Sequence, residues 1–216
     1  MKESSKSQQY WGEVEKRAIS GRGIDIGCGP DPVKPDVRRF DMEDGDANLI
    51  SQYVKDTFDF VYSSHCLEHM HDPRAAILEW WKLVKPGGYL FVVIPDEDLY
   101  EQGVFPSRFN TDHKATFTIS KARSWSPKSI NVLDLAFSLP QGKLISLQLQ
   151  DQGYDRLLAS FGEMPSNLVV RFLAKVTPMM GLQNRKTLRR FFATYYPVHQ
   201  TASAQAQIQL IVQKLP

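Results

Sequence analysis

Gly23-Ile24-Asp25-Ile26-Gly27-Cys28-Gly29-Pro30 is the stretch from which the fold follows. A short apolar run ending in glycines predicts a buried strand that feeds a tight turn. Glycines after a first parallel strand let the backbone approach a ligand at the carboxyl end of the sheet, where open α/β folds bind ligands. A dinucleotide fingerprint would add a third glycine and a helix. Here Pro30, Pro32 and Pro35 follow instead and oppose a regular helix. A pyrophosphate would therefore lack the helix N-terminus that usually holds it. The turn suits a ligand without a pyrophosphate, which disfavours a nicotinamide-dependent oxidoreductase.

Working outward, Phe58 to Ser64 reads as a second buried strand, and Tyr89 to Ile94 as a central strand without polar alternation. Asp72 caps a helix that starts with Pro73, where a missing amide hydrogen costs nothing. That helix is expected to run to Val84 and to put Ala76, Ile77, Trp80, Trp81 and Val84 on one apolar face. Lys85-Pro86-Gly87-Gly88 stops it. A short helix over Gln8–Ala18 and another from Ser126-Pro127 to about Phe137 are also expected. Leu144–Gln150 and Ala206–Val212 alternate as strands, and between them 151–200 reads as helices broken by Pro165, Pro178, Gly181 and Pro197. Strands alternating with helices predict an α/β fold with a mainly parallel sheet, helices on both faces, an antiparallel last strand and a helical insertion before it.

Hydrophobic residues make up 42% and charged residues 23% of the 216, a balance that supports a buried core and excludes a mainly disordered chain. Two cysteines cannot form a disulfide framework, and the longest uninterrupted apolar run, Tyr89–Ile94, is too short for a spanning helix. A reducing cytoplasm is the expected compartment. The net charge of +2 hides an asymmetry: no acidic residue follows Glu163, while seven basic ones do. Residues 164–198 therefore offer basic, amphipathic helices that suit a lid over the acceptor, an anionic membrane face or a lipid-linked substrate.

From Gly23 to Pro95 the chain resembles the class I S-adenosylmethionine-dependent methyltransferases, in the branch with a small domain and a Leu-Glu-His motif. Gly23–Pro30 resembles the loop that wraps the methionine part of the cofactor, and Ser63-Ser64-His65-Cys66-Leu67-Glu68-His69 the segment after the fourth strand. Lys85–Gly88 resembles the turn into the fifth. The resemblance implies a Rossmann-like sheet in one domain: an N-terminal cover (1–20), a cofactor-binding core (21–150), a helical insertion (151–200) and a last strand (201–216). It implies S-adenosyl-L-methionine as cofactor, held by Asp25, Gly27, Cys28, Gly29, Ser64 and His65. It assigns Asp41 to the ribose hydroxyls and Asp46-Ala47 to the adenine edge. Asp41, Glu43, Asp44 and Asp46 are crowded together, so each is open as a ribose or adenine contact. Asp25 is open both as a partner of the cofactor ammonium and as an acid that orders the glycine turn.

Transfer to a hydroxyl requires a base, and His113 and His65 are the candidates. His113 lies in Arg108-Phe109-Asn110-Thr111-Asp112-His113-Lys114, after the central strand, among aromatics that suit a sugar ring. His199 is read as a surface residue. His65, His69 and His71 cluster with Cys66, Glu68 and Asp72, but the family gives this segment a structural reading and no metal is expected. With a mild overall charge and no base-pocket motif, nucleic acid is not the expected acceptor. A small-molecule or glycan acceptor, of the kind used in surface-polysaccharide assembly, is expected. The rival is a methyltransferase-like binding protein without activity.

Overall fold

In the computed structural model, which describes residues 3–159, 162 and 198–216, the glycine-terminated run is β1 (Gly23–Ile26), all of it buried. β2 (Arg38–Phe40) and β3 (Phe58–Ser64) flank it in parallel, and β4 (Val84–Pro95) extends the parallel sheet beyond β3. β5 (Thr116–Thr118) and β6 (Ser129–Asn131) form a separate parallel pair. β7 (Gly142–Gln150) and β8 (Gln207–Lys214) complete the main sheet in the order β2-β1-β3-β4-β8-β7, with β8 antiparallel to both neighbours. The mainly parallel sheet with an antiparallel last strand is thus the one expected.

Both faces are covered, which is why β4 needs no polar alternation. Leu90, Val92 and Ile94 of β4 pack in one core with Ile50 of α3 (Ile50–Tyr53), Ile77 and Trp80 of α4 (Pro73–Lys82) and Leu135 of α5 (Val132–Ser138). Phe91 and Val93 point into the opposite core, with Trp11, Val33, Val37 and Ala18 of α2 (Glu13–Ala18). Each large side chain buried completely, such as Trp80 or Ile77, contributes about 1.5–3 kcal/mol. No helix joins β1 to β2; Val33, between Pro32 and Pro35, and Val37 fill the space in its place.

Three boundaries differ from expectation. α4 ends at Lys82, two residues early, because the Leu83 carbonyl already accepts from Phe58 N–H and Val84 pairs with Phe58. Residues 126–137 are not one helix: Ser129–Asn131 pair with Thr116–Thr118, and the Asn131 side chain then caps α5 through Leu133 and Asp134 N–H. The N-terminal segment is two helices, α1 (Glu3–Gln8) and α2, since the chain turns at Tyr10 and Trp11 to bring the Trp11 ring into the core. The expected basic helices of 164–198 lie, but for Val198, outside the described residues. Among the described residues no helix is long and apolar enough to cross a membrane.

Candidate functional site

β1 and β3 end side by side at the point where the strand order reverses, the usual ligand crevice of an open parallel sheet. A cavity of about 710 Å³ opens there, lined by Gly27, Asp41, Asp46 and Ala47 together with His65, Cys66, His69 and Asp112. Gly27 has φ +73°, and a Cβ on it would meet Cys66 Sγ at 2.6 Å, so only glycine lets the turn pass beneath the cavity. Gly29 N–H donates to Asp41 Oδ2 at 2.8 Å, which ties the glycine turn to the end of β2. Asp46 accepts from Asn48 N–H and Nδ2, capping the short turn Ala47–Leu49, and these bonds hold its carboxyl below the usual range. Trp80 Nε1 donates to the Ala47 carbonyl at 2.9 Å and fixes that wall from the core side.

Several expected cofactor residues stand behind this wall. Ser64 ends β3 and Cys28 receives Arg39 Nε–H on Sγ; neither lines the cavity, nor does Gly29. Asp25 is fully buried and accepts from Val33 N–H at 2.7 Å, while its Oδ1 has no partner. It therefore orders the turn. Burial pushes its pKa from 3.8 up to about 7, against the Val33 bond that lowers it. An aspartate raised on folding favours the native state below its ordinary pKa and loses that contribution as pH climbs through the folded value. Comparing thermal unfolding of the parent and Asp25→Asn from pH 4.5 to 8 is therefore expected to show the parent losing ground up to about pH 7, then a constant difference. A difference independent of pH would contradict this.

The second half of the site is a chain of imidazoles and carboxylates. His65 sits in the left-handed region at φ +54°, pinned by its N–H to Val93 O, a strained conformation of the kind that gathers at functional sites. Its Nδ1 is 3.3 Å from Glu68 Oε1 and its Nε2 is 3.1 Å from Gln207 Oε1. The Gln207 amide nitrogen already donates to Ser7 and Gln150, so its oxygen must face the ring. Burial opposes charge on His65, but Glu68, Glu3 and Gln207 outweigh it and raise its pKa. Glu68 is wholly buried; burial pushes its pKa up, yet His65, His113 and His69 bring the net below the usual range.

His69 Nδ1–H donates to Asp112 Oδ2 at 2.9 Å on the cavity wall. His113, expected in the acceptor loop, lies one layer deeper: it is buried, and its ring packs edge-on to His69 at 5.0 Å. Its Nδ1 is 2.6 Å from Glu101 Oε1. Glu101 closes the π-helical turn Glu97–Glu101 that follows β4. Glu97, at the start of that turn, accepts from Thr116, Ser124, Lys121 and Ser129, and so fastens β5, β6 and their connecting loop beside the site. Sequence reasoning missed Glu101 and the pairing of His69 with Asp112. The signal was Asp96-Glu97-Asp98-Leu99-Tyr100-Glu101, acids crowded at the carboxyl end of the central strand. His199 is exposed, as expected, yet its ring stacks on Phe109 at 4.6 Å.

Residues 11–162 match a family model described as a methyltransferase domain. An uncharacterized methyltransferase of Schizosaccharomyces pombe is 39% identical over 60 residues, covering 28% of this chain and 21% of that protein's length. A Galdieria sulphuraria protein assigned as a sarcosine dimethylglycine methyltransferase has the same fold, with a TM-score of 0.51 at 11% identity over 98% of this chain and 84% of its own. The phosphoethanolamine N-methyltransferase 2 of Haemonchus contortus, in complex with S-adenosyl-L-methionine, aligns at a TM-score of 0.46 and 13% identity, over 94% of this chain and 51% of its own.

Proposed function

The chain belongs to the methyltransferase-domain family, whose cofactor is S-adenosyl-L-methionine, and on that premise we propose that it moves the cofactor's methyl group to an oxygen of a sugar or another small polar acceptor. The observation that carries this reading is the mixed lining of one cavity. Asp41, Asp46 and the Gly27 turn offer carboxylates and close-lying backbone to a nucleoside and an amino acid, and His65, His69 and Asp112 line the same cavity. An amine acceptor needs only to shed a proton, which water can take near neutrality. A hydroxyl needs its proton drawn away as the bond forms, and a carboxylate-held imidazole is built for that task. Alignment of acceptor oxygen, methyl carbon and sulfur supplies much of the remaining acceleration.

Tyr100, Phe109 and His199, whose rings lie 4.6–6.3 Å apart, pack on one another beside His113 and do not line the cavity, so it is the polar lining that supports a small polar acceptor. Cys28 and Cys66 are free thiols, which suits work in a reducing cytoplasm. The test is release of S-adenosylhomocysteine across matched panels of sugars and sugar nucleotides, small alcohols, amines and carboxylic acids, with mass spectrometry of the products. An O-methylated product from a hydroxylated acceptor is the expected result. Turnover with amines alone would replace the oxygen acceptor by nitrogen, and cofactor binding without turnover in any panel would favour the inactive binding protein.

A further inference from the structure

We propose that Glu68, His69 and His113 form a binding site for one divalent cation of the zinc class at the wall of the cofactor cavity, with a coordination position open to the acceptor. One ligand atom from each of the three lies within 4.8 Å of the other two, and His113 Nε2 is 4.0 Å from Glu68 Oε1. Metal bonds of about 2.0–2.1 Å in tetrahedral geometry set ligand atoms about 3.4 Å apart. The side chains therefore need to close by roughly 1 Å, a small change of side-chain torsion. Two imidazoles and one carboxylate are the donor set of open, three-ligand zinc sites.

Two further observations point to an ion. Each imidazole has its Nδ1 held by its own carboxylate, His69 by Asp112 at 2.9 Å and His113 by Glu101 at 2.6 Å. That fixes the tautomer with Nε2 unprotonated and available, the arrangement that supports metal-bound histidines. Glu68, meanwhile, is wholly buried, with only the His65 ring at 3.3 Å from its Oε1 and no hydrogen bond on its Oε2; Glu101 Oε2 likewise receives none. The ion-pair partners of both carboxylates are imidazoles, His65 and His113 for Glu68 and His113 for Glu101. Buried carboxylates without hydrogen bonds are costly unless they are paired or coordinate a metal. His69 and Asp112 line the cavity, so the remaining coordination position opens toward it.

The set differs from the run of potential ligands visible within 65–72. His71 is exposed, its N–H donating to Asn48 Oδ1, and Cys66 packs against Gly27. His113 arrives from another loop. The site stands apart from the acceptor reading, but its use rests on it: an acceptor hydroxyl on the open position becomes more acidic and releases its proton to water in the cavity. Its oxygen then bonds to the methyl carbon as the carbon–sulfur bond breaks and S-adenosylhomocysteine leaves.

The test uses the full chain, stripped by chelator and titrated with Co²⁺ alone, followed by visible ligand-field absorption and by displacement with Zn²⁺. No cofactor or acceptor is added, so its failure and that of the methyl-transfer reading are separable. One equivalent of Co²⁺ is expected to bind and to be displaced by Zn²⁺. Glu101→Gln, which touches no metal directly, should weaken binding by about 10- to 100-fold, and Glu68→Gln and His69→Ala by more; His71→Ala should match the parent. Unfolding of each metal-free variant, recorded alongside, shows that it is folded, and Glu101→Gln serves where Glu68→Gln is not. Absence of saturable binding, or binding that Glu68→Gln, His69→Ala and Glu101→Gln leave unchanged, would overturn the site.

Discussion

Replacing His69 with alanine is expected to slow methyl transfer by about 100- to 10,000-fold, the scale of a removed acid–base or metal-activating group. Affinity for S-adenosylhomocysteine should change by less than about threefold, since the loss falls on the transition state rather than on cofactor binding. The reason is positional. His69 lines the same cavity as Asp41, with Nδ1 committed to Asp112, so Nε2 is the nitrogen left for the reacting oxygen or for the ion that holds it. Asp112→Asn should lower kcat less, by about tenfold, because it misorients the ring without deleting it. Single-turnover rates at saturating cofactor check both. A His69→Ala rate within threefold of the parent would remove the imidazole cluster from the chemistry.

Asp41→Ala is expected to weaken S-adenosylmethionine and S-adenosylhomocysteine alike, by about 10- to 100-fold, as two charge-assisted hydrogen bonds to a ribose diol disappear. Part of the effect is indirect: Asp41 Oδ2 also receives Gly29 N–H, so the substitution frees the turn that carries Gly27. Asp41→Asn separates the two contributions. Its amide oxygen can still accept from Gly29, though its Nδ2 replaces the Oδ1 that accepts from Met42 N–H, so it should lower the unfolding temperature less than Asp41→Ala while losing most of the affinity. Calorimetric titration with S-adenosylhomocysteine is the measurement, and equal affinities for parent and Asp41→Ala would move the ribose elsewhere.

These two residues were not equally legible in the sequence. Asp41 is reached through the family resemblance, while the glycine turn beside it is a local pattern. The same holds for α4, where Asp72 and Pro73 mark the start and the spacing of Ile77, Trp80 and Trp81 marks the buried face. The His69 site is different in kind. It depends on Asp112, Glu101 and His113, brought in by the π-helical turn after β4 and by the loop leading to β5, whose Thr116 hydroxyl donates to Glu97. No periodicity within one segment encodes such contacts. The expected helix over 126–137 failed for the same reason, since pairing of Ser129–Asn131 with β5 outweighed its apolar spacing. The bond between Gln207 and His65 joins residues 142 apart and was invisible to any local reading. Asp25 could be read either way from sequence; burial and the Val33 bond place it with the turn.

A crystal structure of the full chain grown with S-adenosylhomocysteine tests most directly where the cofactor lies. The ribose hydroxyls should stand within about 3.2 Å of the Asp41 carboxylate, with the adenine beside Asp46 and Ala47 and the sulfur turned toward His65 and His69. A nucleoside bound on another face of the sheet, or in this cavity with its ribose turned away from Asp41 and its sulfur away from the imidazoles, would contradict it.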